Sequence, residues 1–322
     1  MFRLRLRSAL TVVLLPLAAY PQDTPRFRAE TDLVTVPVTV TDRHGVALQD
    51  LKLADFQLFD NGIGTEIQHL WLDSDLPLTV GIIVDISYSE HGSMPRERQA
   101  VAEFLNHIMR PQDRAFLVTT AVRNRLVTDL TGSIAELRKG TGHIQPEGLN
   151  ETEGQQLGEP CPTKTDGNKV VSRCGGSAIW DAVYASARLK LRSLPGTKAL
   201  IIISDGLDTG SMHSLNRTLE EVQTSNTIVY AIKVGDVRAL LSHGLAKLAG
   251  ETGGEQFRPS GGNFAEIFRR IESDLRTRYV LGFRPDPATA REGFHQLRVE
   301  TARSGVQVRA RASYYRAGGE QN

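Results

Sequence analysis

The sequence is notable first for what is missing. It has only two cysteines in 322 residues, Cys161 and Cys174, with no CxxC pair and no close pair of histidines. A thiolate or imidazole zinc site therefore has no support. The formal net charge is +1, which gives no case for nucleic acid or an acidic surface as partner. There is no GxSxG nucleophile elbow, no GxxxxGK[ST] phosphate loop and no GxGxxG following a strand, so the common hydrolase and nucleotide-binding signatures are absent. No internal repeat or low-complexity tract stands out. What is present is an ordinary globular composition, 40% hydrophobic and 23% charged, enough to bury a core in one large or two modest domains.

The first residues read as a targeting segment. Arg3, Arg5 and Arg7 form a positive stretch, followed by the apolar run from Leu10 to Ala19. This is the pattern of a secretory signal over residues 1–20, and the run is only about half the roughly 20 residues a membrane span needs. The alternative is a retained anchor. No cysteine follows the apolar run, which argues against a lipid anchor. Export to an oxidising compartment favours a disulfide between Cys161 and Cys174, a local staple worth roughly 3 kcal/mol in the chain-entropy model; two free thiols are the alternative. Asn150 and Asn216 begin glycosylation sequons, read here as chance matches.

Two grammars alternate along the chain. Residues 27–76 carry β signals: Val34, Val36, Val38 and Val40 alternate strictly, with Pro37 marking an edge or bulge. Phe56 to Phe59 and Thr65 to Leu72 read as further strands, the first closed by the hairpin turn Asp60-Asn61-Gly62. From 77 to 276 the pattern is strand, helix, strand. Leu78 to Val84, Ala199 to Ile203 and Thr227 to Ile232 are apolar runs suited to a parallel sheet covered on both faces. Arg96 to Met109, Ser177 to Leu191, Leu215 to Gln223, Leu240 to Ala249 and Asn263 to Leu275 read as helices. Residues 140–173 form a long polar loop with no period. The tail, 277–316, returns to strands at Tyr279 to Phe283, His295 to Thr301 and Val306 to Tyr315. Neither β half can bury its apolar face alone. The expected fold is therefore a doubly wound, mostly parallel α/β domain inserted in a small antiparallel β domain built from both ends of the chain.

The candidate chemistry lies at strand ends. Asp85-Ile86-Ser87-Tyr88-Ser89 follows the buried strand Leu78 to Val84, and Ser204-Asp205-Gly206 follows Ile201-Ile202-Ile203. Gly175-Gly176-Ser177 precedes a helix. Open α/β sheets bind ligands at the carboxyl ends of their strands. Asp85, Ser87, Ser89, Ser177 and Asp205 are all hard oxygen donors, a set suited to magnesium first and also to manganese or calcium. Two carboxylates and three hydroxyls leave a coordination position open. Taken singly these residues also read as turns and helix caps. His91, near the site, could be a ligand or base, or a solvent-exposed loop histidine.

These segments resemble the metal-ion-dependent adhesion site (MIDAS) of von Willebrand factor type A domains, over roughly Pro77 to Arg276. The flanking Leu33 to Asp42 segment and the Tyr279 to Pro285 tail are similar to an exported bacterial branch of that family. The resemblance implies direct metal contacts from Ser87, Ser89 and Ser177, with Asp85 and Asp205 acting through bound waters. It also implies that an Asp or Glu of a protein partner fills the open position. Two departures stand out: Ser177 where the family usually has Thr, and Tyr88 where it often has Gly. Neither removes a donor. The expectation is an exported, metal-dependent protein-binding module without enzymatic activity. The alternative is an accessory or scaffold component of an envelope or secretion complex.

Overall fold

Strand β1, Val34–Asp42, carries the alternating valines inward: Val36, Val38 and Val40 are buried. The computed structural model describes residues 33–72, 76–87, 94–146, 155–157, 163–166, 169–172, 177–234, 243–260, 263–286 and 291–316. After β1 come β2 (Phe56–Asp60), β3 (Ile63–Thr65), β4 (Ile67–Leu72) and β5 (Leu78–Asp85). Helix α1 (Met94–Ile108) leads to β6 (Arg114–Thr120), β7 (Arg125–Thr131) and α2 (Ile134–Gly142). Three short strands follow: β8 (Gln155–Gln156), β9 (Thr163–Asp166) and β10 (Lys169–Ser172). The chain then runs through α3 (Ile179–Ser186), continued by a π turn over Ala187–Leu191, to β11 (Thr197–Ser204) and α4 (Leu215–Thr224). Next are β12 (Thr227–Lys233), α5 (Gly244–Glu251), β13 (Gln256–Phe257) and α6 (Phe264–Arg276). The tail holds β14 (Tyr279–Phe283), β15 (Gly293–Thr301), β16 (Val306–Ala310) and β17 (Ser313–Arg316).

The central sheet has the order β13-β12-β11-β5-β6-β7-β8, parallel from β13 to β6 and antiparallel at β7 and β8. Every residue of β5, β11 and β12 is buried, because helices cover both faces. Helices α1, α2 and α6 pack one face, with Phe104 stacked on Phe268 at 4.5 Å. Helices α3, α4 and α5 pack the other through Trp180, Val183, Leu219, Val222 and Leu245. Chain order departs from β5 to β6 on one side and to β11 on the other. The switch point of the sheet therefore lies between β5 and β11, where open α/β sheets form ligand crevices.

Eight of the remaining strands form two antiparallel four-stranded sheets, β16-β1-β14-β4 and β17-β15-β2-β3, and β9 and β10 pair separately. Each sheet mixes strands from both ends of the chain, so the doubly wound domain is inserted in a β unit that neither end completes. Their shared core contains Val36, Val38, Val40, Phe56, Leu58, Tyr279, Leu281, Phe283 and Tyr314. Pro37 pairs only towards β14, since the β16 pairing begins at Val38. The missing N–H falls where β1 is locally an edge.

Three expectations change. Val306 to Tyr315 is two strands, β16 and β17, in different sheets. The chain turns a corner at Arg311 and Ala312, and even-numbered residues stay inward on both sides of it. Thr65 to Leu72 likewise divides at Glu66 between β3 and β4, again in different sheets. The loop over 140–173 contains ladder structure: β8 extends the main sheet, and β9 pairs with β10. The signal segment, Cys161, Cys174 and Asn150 lie outside the described residues. No described helix is long and apolar enough to cross a membrane.

Candidate functional site

Strand β5 ends at Asp85, whose side chain is fully buried. Its carboxylate is held by three serines, Ser87, Ser177 and Ser204, and Ser87 bonds it through both its backbone and its side chain. Ser87 N–H donates to Oδ1 at 3.0 Å and Ser177 Oγ donates to the same oxygen at 3.0 Å. Ser204 Oγ donates to Oδ2 at 2.7 Å. Burial pushes the Asp85 carboxyl above its ordinary range, and the hydrogen bonds from Ser204, Ser87 and Ser177 oppose that shift without cancelling it.

Neighbouring strands bring these groups together. Ser204 is the last residue of β11, which lies beside β5 in parallel register. Asp205 follows, 5% exposed, and accepts a hydrogen bond from Leu207 N–H at 2.8 Å. Gly206 turns the chain at φ +81° and donates its N–H to Ser204 Oγ at 2.9 Å. Lys233, at the end of β12, lies within electrostatic reach of Asp205, so the two aspartates differ in their surroundings. Ser177 enters from the segment before α3, bridged to Asp208. Its carbonyl accepts from Thr209 and Gly210 N–H, both at 3.1 Å.

The loop after Asp205 is itself braced. Asp181, in the first turn of α3, accepts from Met212 N–H and His213 N–H, both at 2.9 Å, and contacts His213 Nδ1 at 2.6 Å. Asp208 accepts from Trp180 N–H at 3.2 Å and from Ser211 Oγ at 2.5 Å. Burial raises the Asp208 carboxyl, against the hydrogen bonds from Ser211, Trp180 and Ile179. Leu207 and Met212 stand exposed on this loop.

Four of the five candidate residues thus lie at one end of the sheet: Asp85, Ser87, Ser177 and Asp205. Ser89 lies outside the described residues, as do Tyr88, His91, Gly175 and Gly176. Sequence reasoning passed over Ser204 as a site residue. Its signal was available, because a serine closing an isoleucine run in a fully buried strand has to find a partner inside. The Asp181 brace carried no comparable signal, since it depends on how α3 meets the 207–213 loop.

The donor chemistry fits a hard divalent cation. Among the described residues only neutral groups hydrogen-bond the buried Asp85 carboxylate, and a buried charge in that state is costly. Ser177 spends its proton on Asp85, which leaves its oxygen lone pairs free to ligate. Among the described residues no group of three or more His, Cys, Asp or Glu side chains is placed to hold a metal. The set here is instead two carboxylates with hydroxyls.

No protein-family profile matches the chain, and no curated protein matches it. Solved structures do. BatB from Bacteroides thetaiotaomicron is 13% identical over 62% of this chain and 100% of that one, with a TM-score of 0.46. Proximal thread matrix protein 1 from the mussel byssus, solved with a zinc-occupied MIDAS motif, is 15% identical over 67% of this chain and 49% of that one, with a TM-score of 0.48. A von Willebrand factor type A protein from Catenulispora acidiphila is 12% identical over 84% of this chain and 75% of that one, with a TM-score of 0.47. At such scores these are likenesses. The architecture rests on the strand order above, and the site on its own distances.

Proposed function

We propose that this chain, an α/β protein of von Willebrand factor type A architecture, is an exported protein-binding module with a divalent-cation site and no catalytic role. Asp85, Ser87, Ser89, Ser177 and Asp205 would hold the ion, magnesium first, with manganese or calcium also suited. The observation that carries the reading is Asp85: a fully buried carboxylate at the sheet's switch point, met by Ser177, Ser204 and Ser87 and, among the described residues, by no cationic side chain. When bound, a divalent cation supplies the missing positive charge and one open coordination position for an Asp or Glu of a protein partner.

Each residue has a distinct part in this reading. Asp85 orients the Ser177 hydroxyl, so that its lone pairs point away from the carboxylate. Ser204 holds the other carboxylate oxygen and keeps Asp85 from turning. Asp205 adds the second negative charge, which Lys233 tempers. The exposed Leu207 and Met212 give a partner apolar contact beside the charged centre.

Thermal unfolding with magnesium, manganese or calcium against EDTA tests the metal. The wild type is expected to melt higher with at least one cation, and Asp85→Ala and Asp205→Ala are expected to lose that rise. A wild-type curve indifferent to all three cations refutes the site. Capture of partners in magnesium buffer and again in EDTA tests the binding role: partners that survive chelation point to a scaffold in an envelope or secretion complex instead.

A further inference from the structure

Helix α3 begins two residues after Ser177 and has no cap of its own, because Ala178 at its N-cap offers no side-chain hydrogen bond. The first N–H groups of a helix have no partner within it. Here two of them are met from the loop after β11. Trp180 N–H donates to Asp208 Oδ1 at 3.2 Å, and Asp181 N–H donates to Ser211 Oγ at 3.1 Å. Ser211 Oγ in turn donates to Asp208 Oδ1 at 2.5 Å. The helix answers from its own first turn, since Asp181 accepts from Met212 N–H, His213 N–H and His213 Nδ1. The His213 ring is stacked on Tyr184 of the same helix, with centroids 3.9 Å apart. Loop and helix start thus cap each other.

Ser177 is caught in this exchange. It bridges to Asp208, and its carbonyl accepts from the N–H groups of the next two residues, Thr209 and Gly210, both at 3.1 Å. On its other side Ala178 N–H donates to the Ala121 carbonyl at 2.9 Å. The Ser177 backbone is therefore held between the loop after β11 and the turn after β6, while its hydroxyl reaches Asp85. Displacing Asp208 shifts the two donors that grip the carbonyl, and the hydroxyl moves with them.

We propose that Asp208, with Ser211, is a positioning residue for the cation site: by capping α3 it holds the Ser177 hydroxyl where the ion needs it, without itself binding the ion. The inference rests on the metal reading above and adds to it two residues outside the five candidates. Groups that orient metal ligands commonly contribute about 10–100-fold to metal affinity. The bonds Asp208 accepts come from a helix N–H and a hydroxyl, so an amide oxygen can serve in place of the carboxylate. Asp208→Asn keeps an Oδ1 that accepts from both Trp180 and Ser211. Asp208→Ala removes the cap. Ser211→Ala removes the link between Asp208 and Asp181 with no change of charge.

The test titrates magnesium, manganese and calcium calorimetrically into the full chain, and follows hydrogen exchange of the Thr209 and Gly210 amides in EDTA. The wild type is expected to bind at least one cation. Asp208→Ala is expected to bind it about 10–100-fold more weakly and Ser211→Ala several-fold more weakly, with Asp208→Asn within about threefold of the wild type. In EDTA both amides are expected to exchange faster in Asp208→Ala than in Asp208→Asn, which reads the loosened grip on Ser177 with no metal present. If Asp208→Ala does not fold, Ser211→Ala carries the comparison. Wild-type affinity in the folded variant, Asp208→Ala or Ser211→Ala, overturns the inference and leaves the metal reading standing. Equal losses in Asp208→Ala and Asp208→Asn overturn it as well, because the ion then responds to the charge and not to the placement of Ser177. A wild type that binds none of the three cations overturns both readings together.

Discussion

At the residue scale, Asp85 and Ser204 make opposite predictions although they share one hydrogen bond. Asp85 is a buried charge opposed by burial itself, so neutralising it without changing its shape removes a cost. In Asp85→Asn, Oδ1 still accepts from Ser87 and Ser177, and the new amide can donate to Ser204 Oγ. This variant is expected to unfold in EDTA at a urea concentration no lower than the wild type, and to gain nothing from divalent cations. A markedly lower midpoint would show that the charge itself stabilises the metal-free fold. Ser204→Ala removes a donor to a charged group at 2.7 Å and the acceptor for Gly206 N–H. It is expected to cost about 1.5–3 kcal/mol in the same titration. Asp85, Ser87, Ser177 and Asp205 meet at one end of the sheet, and that nearness was legible because the sequence sets them at the ends of two buried strands and at a helix start. The hydrogen-bond order among them was not, since it depends on which strands lie side by side.

At the scale of elements, strands and helices could be read wherever one period held for long enough. The buried runs of β5, β11 and β12 and the apolar faces of α1 and α6 fall where hydrophobic spacing places them. Reading failed at the corners. Val306, Val308 and Ala310 share parity with Tyr314, so alternation runs unbroken through Arg311 and Ala312 although the chain changes sheets there. Strands β8, β9 and β10 were missed for a different reason, because pairs of two to four residues are too short to display a period. Tight packing inside an element makes its own prediction. Gly81, in the middle of β5, lies under the Phe116 ring, and a Cβ there would also meet Leu200 Cδ2 at 2.6 Å. Both neighbours are buried and cannot retreat into solvent. Gly81→Ala is therefore expected to destabilise by about 1–3 kcal/mol, measured as a lower urea midpoint with unchanged slope. A neutral result would mean that Phe116 has room to turn.

At the scale of the whole molecule, the inserted domain and the β unit are joined by a buried ionic cluster around Asp274 of α6. Its carboxylate accepts from Thr39 of β1, Tyr230 of β12 and Arg309 of β16, and pairs with Arg278 at 3.2 Å. Arg309 also reaches Glu255, which pairs with Arg270 at 2.9 Å. Burial alone would raise the Asp274 carboxyl, but Arg278 and Arg309, with the Thr39 and Tyr230 hydroxyls, carry it below the ordinary range. Asp274→Asn keeps the shape but leaves the buried Arg278 guanidinium short of its counter-charge, while the half-buried Arg309 keeps Glu255. Removing one partner of such a cluster costs about 3–5 kcal/mol. The sign with pH follows from the lowered value. The unfolded chain takes up the proton first, so the ion pair's contribution is complete above the ordinary carboxylate pKa of about 3.9 and fades as pH falls below it. The stability gap between wild type and Asp274→Asn is therefore expected to be constant from pH 7 to about 5 and to narrow below about pH 4. Groups that titrate alike in both proteins cancel in that difference. Urea titrations of the pair across this range decide the matter. A gap that persists unchanged at low pH would mean that shape and hydrogen bonding at Asp274, and not its charge, join the two parts of the molecule.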